Sequence, residues 1–283
     1  MSKTIIVGKN GFIAKELFKV GLKNVLFTTS SDEEKNAIYL DLENVDDFNF
    51  SIIDKETIVV LLAAISSPDI CQNDCDYAYN INVKGTIQFI ENSLKKDAKV
   101  LFFASDVIYG NTTKPVNEKS STNPFGNYAQ MKDEVEKYFI GNDNFKSFRL
   151  SYVLSKEDKY LKYLKSCVEN SSVAEVFHPF ERKVIYIEDV LEAIKSIIQD
   201  WKQCGSQYIN ICGSQSISRK DIADYYNESI GGKLKYEIFK PNDEFWKARP
   251  KDINIESLYL EKLLNRKPIE IKDAVNKIIK GDN

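Results

Sequence analysis

Two stretches of this 283-residue chain are apolar almost without interruption: Thr57–Ala63 (TIVVLLA) and Lys99–Ala104 (KVLFFA). A strand with one wet face alternates apolar and polar residues. Unbroken runs of this kind need burial on both faces, which a parallel sheet covered by helices provides. The flanking chain supplies both kinds of element. Thr4–Val7, Asn24–Thr28, Ala37–Leu42 and Ser147–Val153 read as further strands. Phe12–Lys19, Tyr77–Ser93 and Asn127–Phe139 carry helical spacing. Strand and helix alternate in this way up to residue 154, the pattern of βαβ units. The predicted fold class is α/β, a doubly wound parallel sheet with a smaller C-terminal lobe.

After Val153 the alternation loosens. Ser155–Asn170 is lysine-rich and helical, and Val173–Lys183 reads as loop or short extended structure. Glu188–Trp201 is helical, Gln207–Cys212 is a strand, Ser218–Gly231 is a helix, Lys235–Phe239 is a strand, and Ile255–Gly281 holds two short helices. Residues 184–213 are expected to return to the sheet. The division is therefore 1–154 plus 184–213 for the sheet domain, and 155–183 plus 214–283 for a lobe that binds substrate. The 39 basic and 42 acidic residues give a net charge of -3, which disfavours a non-specific nucleic-acid binder. The longest apolar run, Ile58–Ser66, is far short of the roughly 20 residues that span a membrane. The start, MSKTIIVGKNGF, is too short in apolar residues for a secretory leader. A cytoplasmic protein is expected. Five cysteines, Cys71, Cys75, Cys167, Cys204 and Cys212, form no disulfide pattern, and one histidine makes no metal site.

Gly8-Lys9-Asn10-Gly11-Phe12-Ile13-Ala14 joins a predicted strand to a predicted helix, the context of the Rossmann dinucleotide fingerprint. Gly8 lets the chain turn off the strand. Gly11 lets backbone approach a pyrophosphate at the helix N-terminus, where unpaired N–H groups favour an anion. Ala14 takes the third small position. A tight strand-to-helix turn uses glycine in any case, so the motif alone leaves both readings open. An acidic residue ending the second strand would bond the ribose 2'-OH and select NAD. Here that strand runs into Thr28-Thr29-Ser30-Ser31, with Asp32 beyond it and Lys35 nearby. The hydroxyls of Thr29 and Ser30 suit a 2'-phosphate, so NADP(H) is favoured over NAD(H). Asp41 is placed to contact the adenine.

Tyr128 and Lys132 lie four apart on a predicted helix and share a face. A nearby ammonium stabilises a phenolate and lowers the phenol's pKa, so the pair can exchange a proton with a carbonyl or alcohol oxygen. An accidental pair on a solvated helix has the same spacing. Ser105 ends the run LFFAS. At the carboxyl end of a strand in a doubly wound sheet it would sit where ligands bind, although serine is also a common turn residue.

Taken in order, Gly8/Gly11/Ala14, Ala63-Ala64, Asn82 in NINVKGT, Ser105 in ASDVIYG and Tyr128/Lys132 in NPFGNYAQMK resemble the extended short-chain dehydrogenases/reductases. NINVKGT, Ser105-Asp106, NPFGNY and Arg249-Pro250 in ARPKDINIESLYL are most similar to their dTDP-4-dehydrorhamnose reductase branch. The resemblance covers nearly the whole chain. It implies a catalytic set of Ser105, Tyr128 and Lys132, with Tyr128 as proton donor and Lys132 also bonding the nicotinamide ribose. It implies cofactor contacts at Gly8, Gly11, Phe12, Ile13, Asp41, Leu42, Ala63, Ala64 and Asn82. It implies a nucleotide-diphosphate sugar as substrate, with Asp106, Val107, Val153, His178, Arg182 and Arg249 as candidate contacts. Arg249 would take the diphosphate, since an arginine fork suits phosphate oxygens. For His178, Arg182 and Arg249 a purely structural role stays open. Departures narrow the reaction. No Glu follows Ser105-Asp106, as dehydration would require, and Val107 stands where the branch usually has tyrosine. The resemblance therefore implies reduction of a 4-keto sugar for polysaccharide or glycoconjugate synthesis. The alternatives are an epimerase holding NAD tightly, or a non-enzymatic dinucleotide-binding regulatory subunit. A homodimer is compatible with the resemblance, with no dimer face identified in the sequence.

Overall fold

A computed structural model describes residues 3–31, 36–247 and 249–281. The chain forms β1 (Lys3–Val7), α1 (Phe12–Lys19), β2 (Val25–Thr29), β3 (Ile38–Tyr39), β4 (Thr57–Leu61), α2 (Pro68–Asn73), α3 (Cys75–Tyr79), α4 (Thr86–Leu94), β5 (Lys99–Ser105), α5 (Asn127–Tyr138) and β6 (Phe145–Leu150). It continues with β7 (Val153–Leu154), α6 (Lys159–Glu169), β8 (Val173–Phe177), β9 (Glu181–Arg182), β10 (Ile185–Tyr186), α7 (Ile187–Gln199), β11 (Tyr208–Ile211), β12 (Ile217–Ser218), α8 (Arg219–Ser229), β13 (Lys235–Phe239), α9 (Asp243–Trp246), α10 (Leu260–Leu264) and α11 (Ile271–Gly281).

Seven strands make one sheet in the order β11-β6-β5-β4-β1-β2-β3, and every pairing is parallel. The order reverses beside β1, so a crevice opens at the carboxyl ends of β1 and β4. The unbroken apolar strands are buried on both faces, as their composition demands. Ile6, Val60, Leu101, Phe103 and Phe148 pack into a core with α1, α7 and the C-terminal helices. Their neighbours Ile5, Val7, Val59, Leu61, Val100 and Phe102 pack into a second core with Phe89, Ile90 and Val135 of α4 and α5. The first core runs on through Leu164, Val176, Ile222 and Val275, so the C-terminal elements share the apolar mass of the sheet.

The structure shifts several expected boundaries. The single helix predicted over Tyr77–Ser93 is α3, a π-helical turn at Asn80–Gly85, and α4. α6 starts at Lys159 because the Asp158 carboxylate caps Tyr160 N–H and Leu161 N–H. Val173–Phe177, expected as loop or short extended structure, is a full strand, paired in parallel with β13 over five residues. No helix among the described residues is long and apolar enough to cross a membrane.

Candidate active site

A cleft of about 660 Å³ opens at the strand carboxyl ends. Gly8 leaves β1 with φ of +95°, in the region that favours glycine, and a Cβ there would press on Ala63 at 3.0 Å. The β1 and β4 ends are tied together by Leu62 N–H and Ala63 N–H, both donating to Val7 O. Gly8 N–H donates to Thr28 Oγ1 and Lys9 N–H donates to Thr28 O, so β2 fixes the turn from the other side. Gly11 precedes α1, whose first residues Phe12 and Ile13 line this space. Of the thirteen sequence-derived cofactor candidates, twelve line the cleft: Gly8, Gly11, Phe12, Ile13, Thr29, Ser30, Asp41, Leu42, Ala63, Ala64, Tyr128 and Lys132. The space and its glycine cradle fit an extended dinucleotide with its pyrophosphate at the start of α1.

Asn82, the thirteenth, lies behind the cleft wall. It is fully buried, its Oδ1 accepts from Ile65 N–H at 2.8 Å, and its Nδ2 donates to Ile65 O at 2.9 Å. Ile65 lines the cleft. Thr29 is also more structural than expected, because its hydroxyl oxygen is buried and accepts from Ser31 N–H. Asp32 and Lys35 lie outside the described residues. Ile65 was not singled out from the sequence, and Lys9 and Thr28 were read only as part of the glycine turn and the strand end, with no role of their own. Only the hydroxyl at the end of a strand could have flagged Thr28.

α5 carries Tyr128 and Lys132 one turn apart into the cleft. The Lys132 ammonium lies 4.5 Å from the centroid of the Phe102 ring and 6.0 Å from that of Tyr128. Burial pulls the Lys132 pKa down to about 8, with the charges of Cys71 and Glu136 opposing. The Tyr128 phenol moves opposite to the sequence expectation. Burial pushes its pKa above the ordinary value, and the neighbouring Cys71 and Asp106 charges add to that. The ammonium does not offset this, because Lys132 is itself desolvated and stacked on Phe102. Ser105, at the end of β5, directly follows the cleft residue Ala104. Its Oγ lies 3.3 Å from Asp106 Oδ1 and 3.5 Å from Val107 N–H.

The substrate-side candidates divide. Asp106 is buried and accepts from Ser151 Oγ at 2.8 Å. Arg182 is buried, its guanidinium spent on the carbonyls of Glu181, Pro250 and Lys251. Val107 packs toward Ile108, Cys212 and Ile253, and Val153 pairs with Ile185 in the main core. His178 donates its backbone N–H to Phe239 O, and its Nδ1 is buried with no hydrogen-bond partner among the described residues. Arg249 forms a forked pair with Asp69 at 2.9 and 2.6 Å, at the start of α2. All five cysteines are free thiols.

Residues 2–280 match the family described as the RmlD substrate binding domain. A dTDP-4-dehydrorhamnose reductase of Aggregatibacter actinomycetemcomitans is 24% identical over 147 residues, 50% of this chain and 47% of that protein. The methionine adenosyltransferase 2 subunit beta of Xenopus tropicalis is 25% identical over 145 residues, 50% of this chain and 43% of that one. The chain thus spans about half the length of the curated relatives it matches. The crystal structure of a dTDP-4-dehydrorhamnose reductase from Clostridium acetobutylicum shares the fold, with a TM-score of 0.83, 22% identity and 98% coverage of both chains.

Proposed function

Because the chain belongs to the RmlD substrate-binding-domain family, we propose that it is an NAD(P)H-dependent reductase of a nucleotide-activated 4-keto-6-deoxy sugar. The observation that carries this reading is the convergence of the Tyr128–Lys132 pair and the Gly8–Ile13 turn on one cleft. A bound nicotinamide would supply hydride to the keto carbon. Tyr128 gives its proton to the keto oxygen. A phenol at or above its ordinary pKa is protonated at neutral pH, the state a donor needs in the reductive direction. Lys132 places positive charge next to the same oxygen and bonds the nicotinamide ribose. Ser105 donates a second hydrogen bond to that oxygen. Gly8, Gly11, Phe12 and Ile13 hold the pyrophosphate, and Asp41 and Leu42 hold the adenine. NADP(H) is taken in preference to NAD(H), since Thr28–Ser31 offers no carboxylate to a ribose 2'-OH. Residues 1–154 and 184–213 form the dinucleotide half, and 155–183 with 214–283 the half that meets the sugar nucleotide.

The similarity to a methionine adenosyltransferase subunit supports a second reading, a regulatory subunit that binds dinucleotide without turnover. Loss of reduced-nicotinamide absorbance decides between the two, measured against dTDP-, GDP-, UDP- and CDP-linked 4-keto-6-deoxy sugars. We expect turnover with one of them. Tyr128→Phe should lower it by about 100-fold or more while dinucleotide affinity stays within about threefold. Silence across the panel with dinucleotide bound overturns the reductase.

A further inference from the structure

Asp106 is 4% exposed, yet among the described residues no cation hydrogen-bonds to it. Its two oxygens meet two hydroxyls and a backbone amide instead: Ser105 Oγ at Oδ1, Ser151 Oγ at Oδ2, and the Val107 N–H, which the carboxyl shares with Ser105 Oγ. The other ionisable groups facing it are Arg182 of β9, Tyr128 of α5 and Cys212 after β11, with Asp252 facing Arg182. The two states of such a carboxyl turn Ser105 in opposite directions. An ionised carboxylate only accepts, and draws the Ser105 hydrogen onto Oδ1. A neutral carboxyl donates from Oδ1 to Ser105 Oγ while Oδ2 still accepts from Ser151. Ser105 Oγ then receives from Asp106 and from Val107 N–H, and its own hydrogen is left for a third partner.

We propose that Asp106 is a positioning residue that works as a neutral acid: braced by Ser151, it donates to Ser105 and so presents the Ser105 hydrogen to the substrate's keto oxygen. The identity of that acceptor rests on the reductase reading; the protonation state of Asp106 does not. Burial raises the Asp106 pKa, more strongly than Arg182, the two hydroxyls and the Val107 N–H lower it.

Infrared difference spectroscopy of wild type against Asp106→Asn, near neutral pH, reads the proton directly. A carbonyl band of a neutral carboxyl is expected, and its absence overturns the proposal. Because the band is read without turnover, a failure here is distinct from a failure of the reductase assignment. Kinetics then read the route. Asparagine can still donate to Ser105 and accept from Ser151, whereas alanine does neither. Asp106→Ala should lower kcat by about tenfold or more with KM within about threefold, and Asp106→Asn should recover most of that loss. In a Ser105→Ala chain the same two substitutions should have no further effect on kcat. Equal kcat for the asparagine and alanine chains overturns the proposal. So does a loss of about tenfold from Asp106→Ala when Ser105 is already absent.

Discussion

Lys132 shows what a lysine buried at the cleft costs the fold that carries it. Its ammonium is buried over the Phe102 ring, and among the described residues no carboxylate forms an ion pair with it. In the unfolded chain a lysine titrates near 10.5, and here it titrates near 8. Below about pH 8 both states carry the charge, and the folded state bears the full desolvation penalty. Between about 8 and 10.5 the unfolded chain holds more protons, so stability rises with pH across that window. The difference amounts to roughly 3 kcal/mol at most. Lys132→Met should therefore raise the free energy of unfolding by about 1–3 kcal/mol near pH 7 while abolishing turnover. The gain should shrink toward zero as urea unfolding is repeated up to about pH 10.5. A gain of equal size at both ends of that range would contradict the argument. The Tyr128–Lys132 spacing was legible in the sequence because a helix has a fixed period. The direction of the Tyr128 shift was not, because burial depends on Phe102 and on chain far from α5.

At the level of elements, the segment between β4 and α4 is where the sequence and the structure part most clearly. Periodicity reads Tyr77–Ser93 as one helix, but Asn80–Gly85 widens into a π-helical turn. The reason is tertiary. Asn82 holds both backbone groups of Ile65, in a loop that forms the cleft wall. Gly85 lets Leu42 O come so close that a Cβ would sit 1.7 Å from it. No local pattern encodes either contact, and π turns of this sort often mark functional sites. Asn82→Ala removes the partner of Ile65 N–H and leaves Ile65 O with only the Cys71 thiol, at 3.4 Å. It should cost about 1–3 kcal/mol by denaturant unfolding, and it should weaken dinucleotide binding although residue 82 does not line the cleft. Unchanged affinity in a destabilised chain would show that the Ile65 loop does not need this brace. The strands fared better in the sequence reading. The runs in β1, β4 and β5 are fixed by two-sided burial, which composition records directly. β8 was read as loop or short extended structure because its register is set by β13, about sixty residues later in the chain.

Across the whole molecule, two arginines that the sequence could not tell apart prove to do different work. Arg182 is sealed behind the site, where its guanidinium fastens the Pro250–Lys251 backbone to β9. Arg249 joins residues 180 positions apart, from the chain after α9 to Asp69 at the start of α2. Its guanidinium also lies 5.0 Å from the Phe245 ring centroid. The pair is open to solvent, with side-chain exposures of 23% for Arg249 and 60% for Asp69. Arg249 holds the Asp69 carboxyl below the usual carboxylate range, but an exposed pair of this kind adds little to stability. The molecule is held together elsewhere, by the continuous apolar core, and the buried Arg149–Glu136 pair fixes α5 against β6. A forked guanidinium whose present partner is a solvated carboxylate can exchange that partner for a diphosphate at small net cost. Arg249→Ala should therefore leave the unfolding free energy within about 1 kcal/mol of wild type. The same substitution should raise KM for the nucleotide sugar by about tenfold or more, with kcat changed far less, because uniform binding is what it removes. Arg182→Ala should do the reverse, destabilising the fold by about 2–4 kcal/mol through the unpaired carbonyls it leaves. If Arg249→Ala instead unfolds the chain and leaves KM alone, the pair is a structural clasp and the diphosphate is held elsewhere.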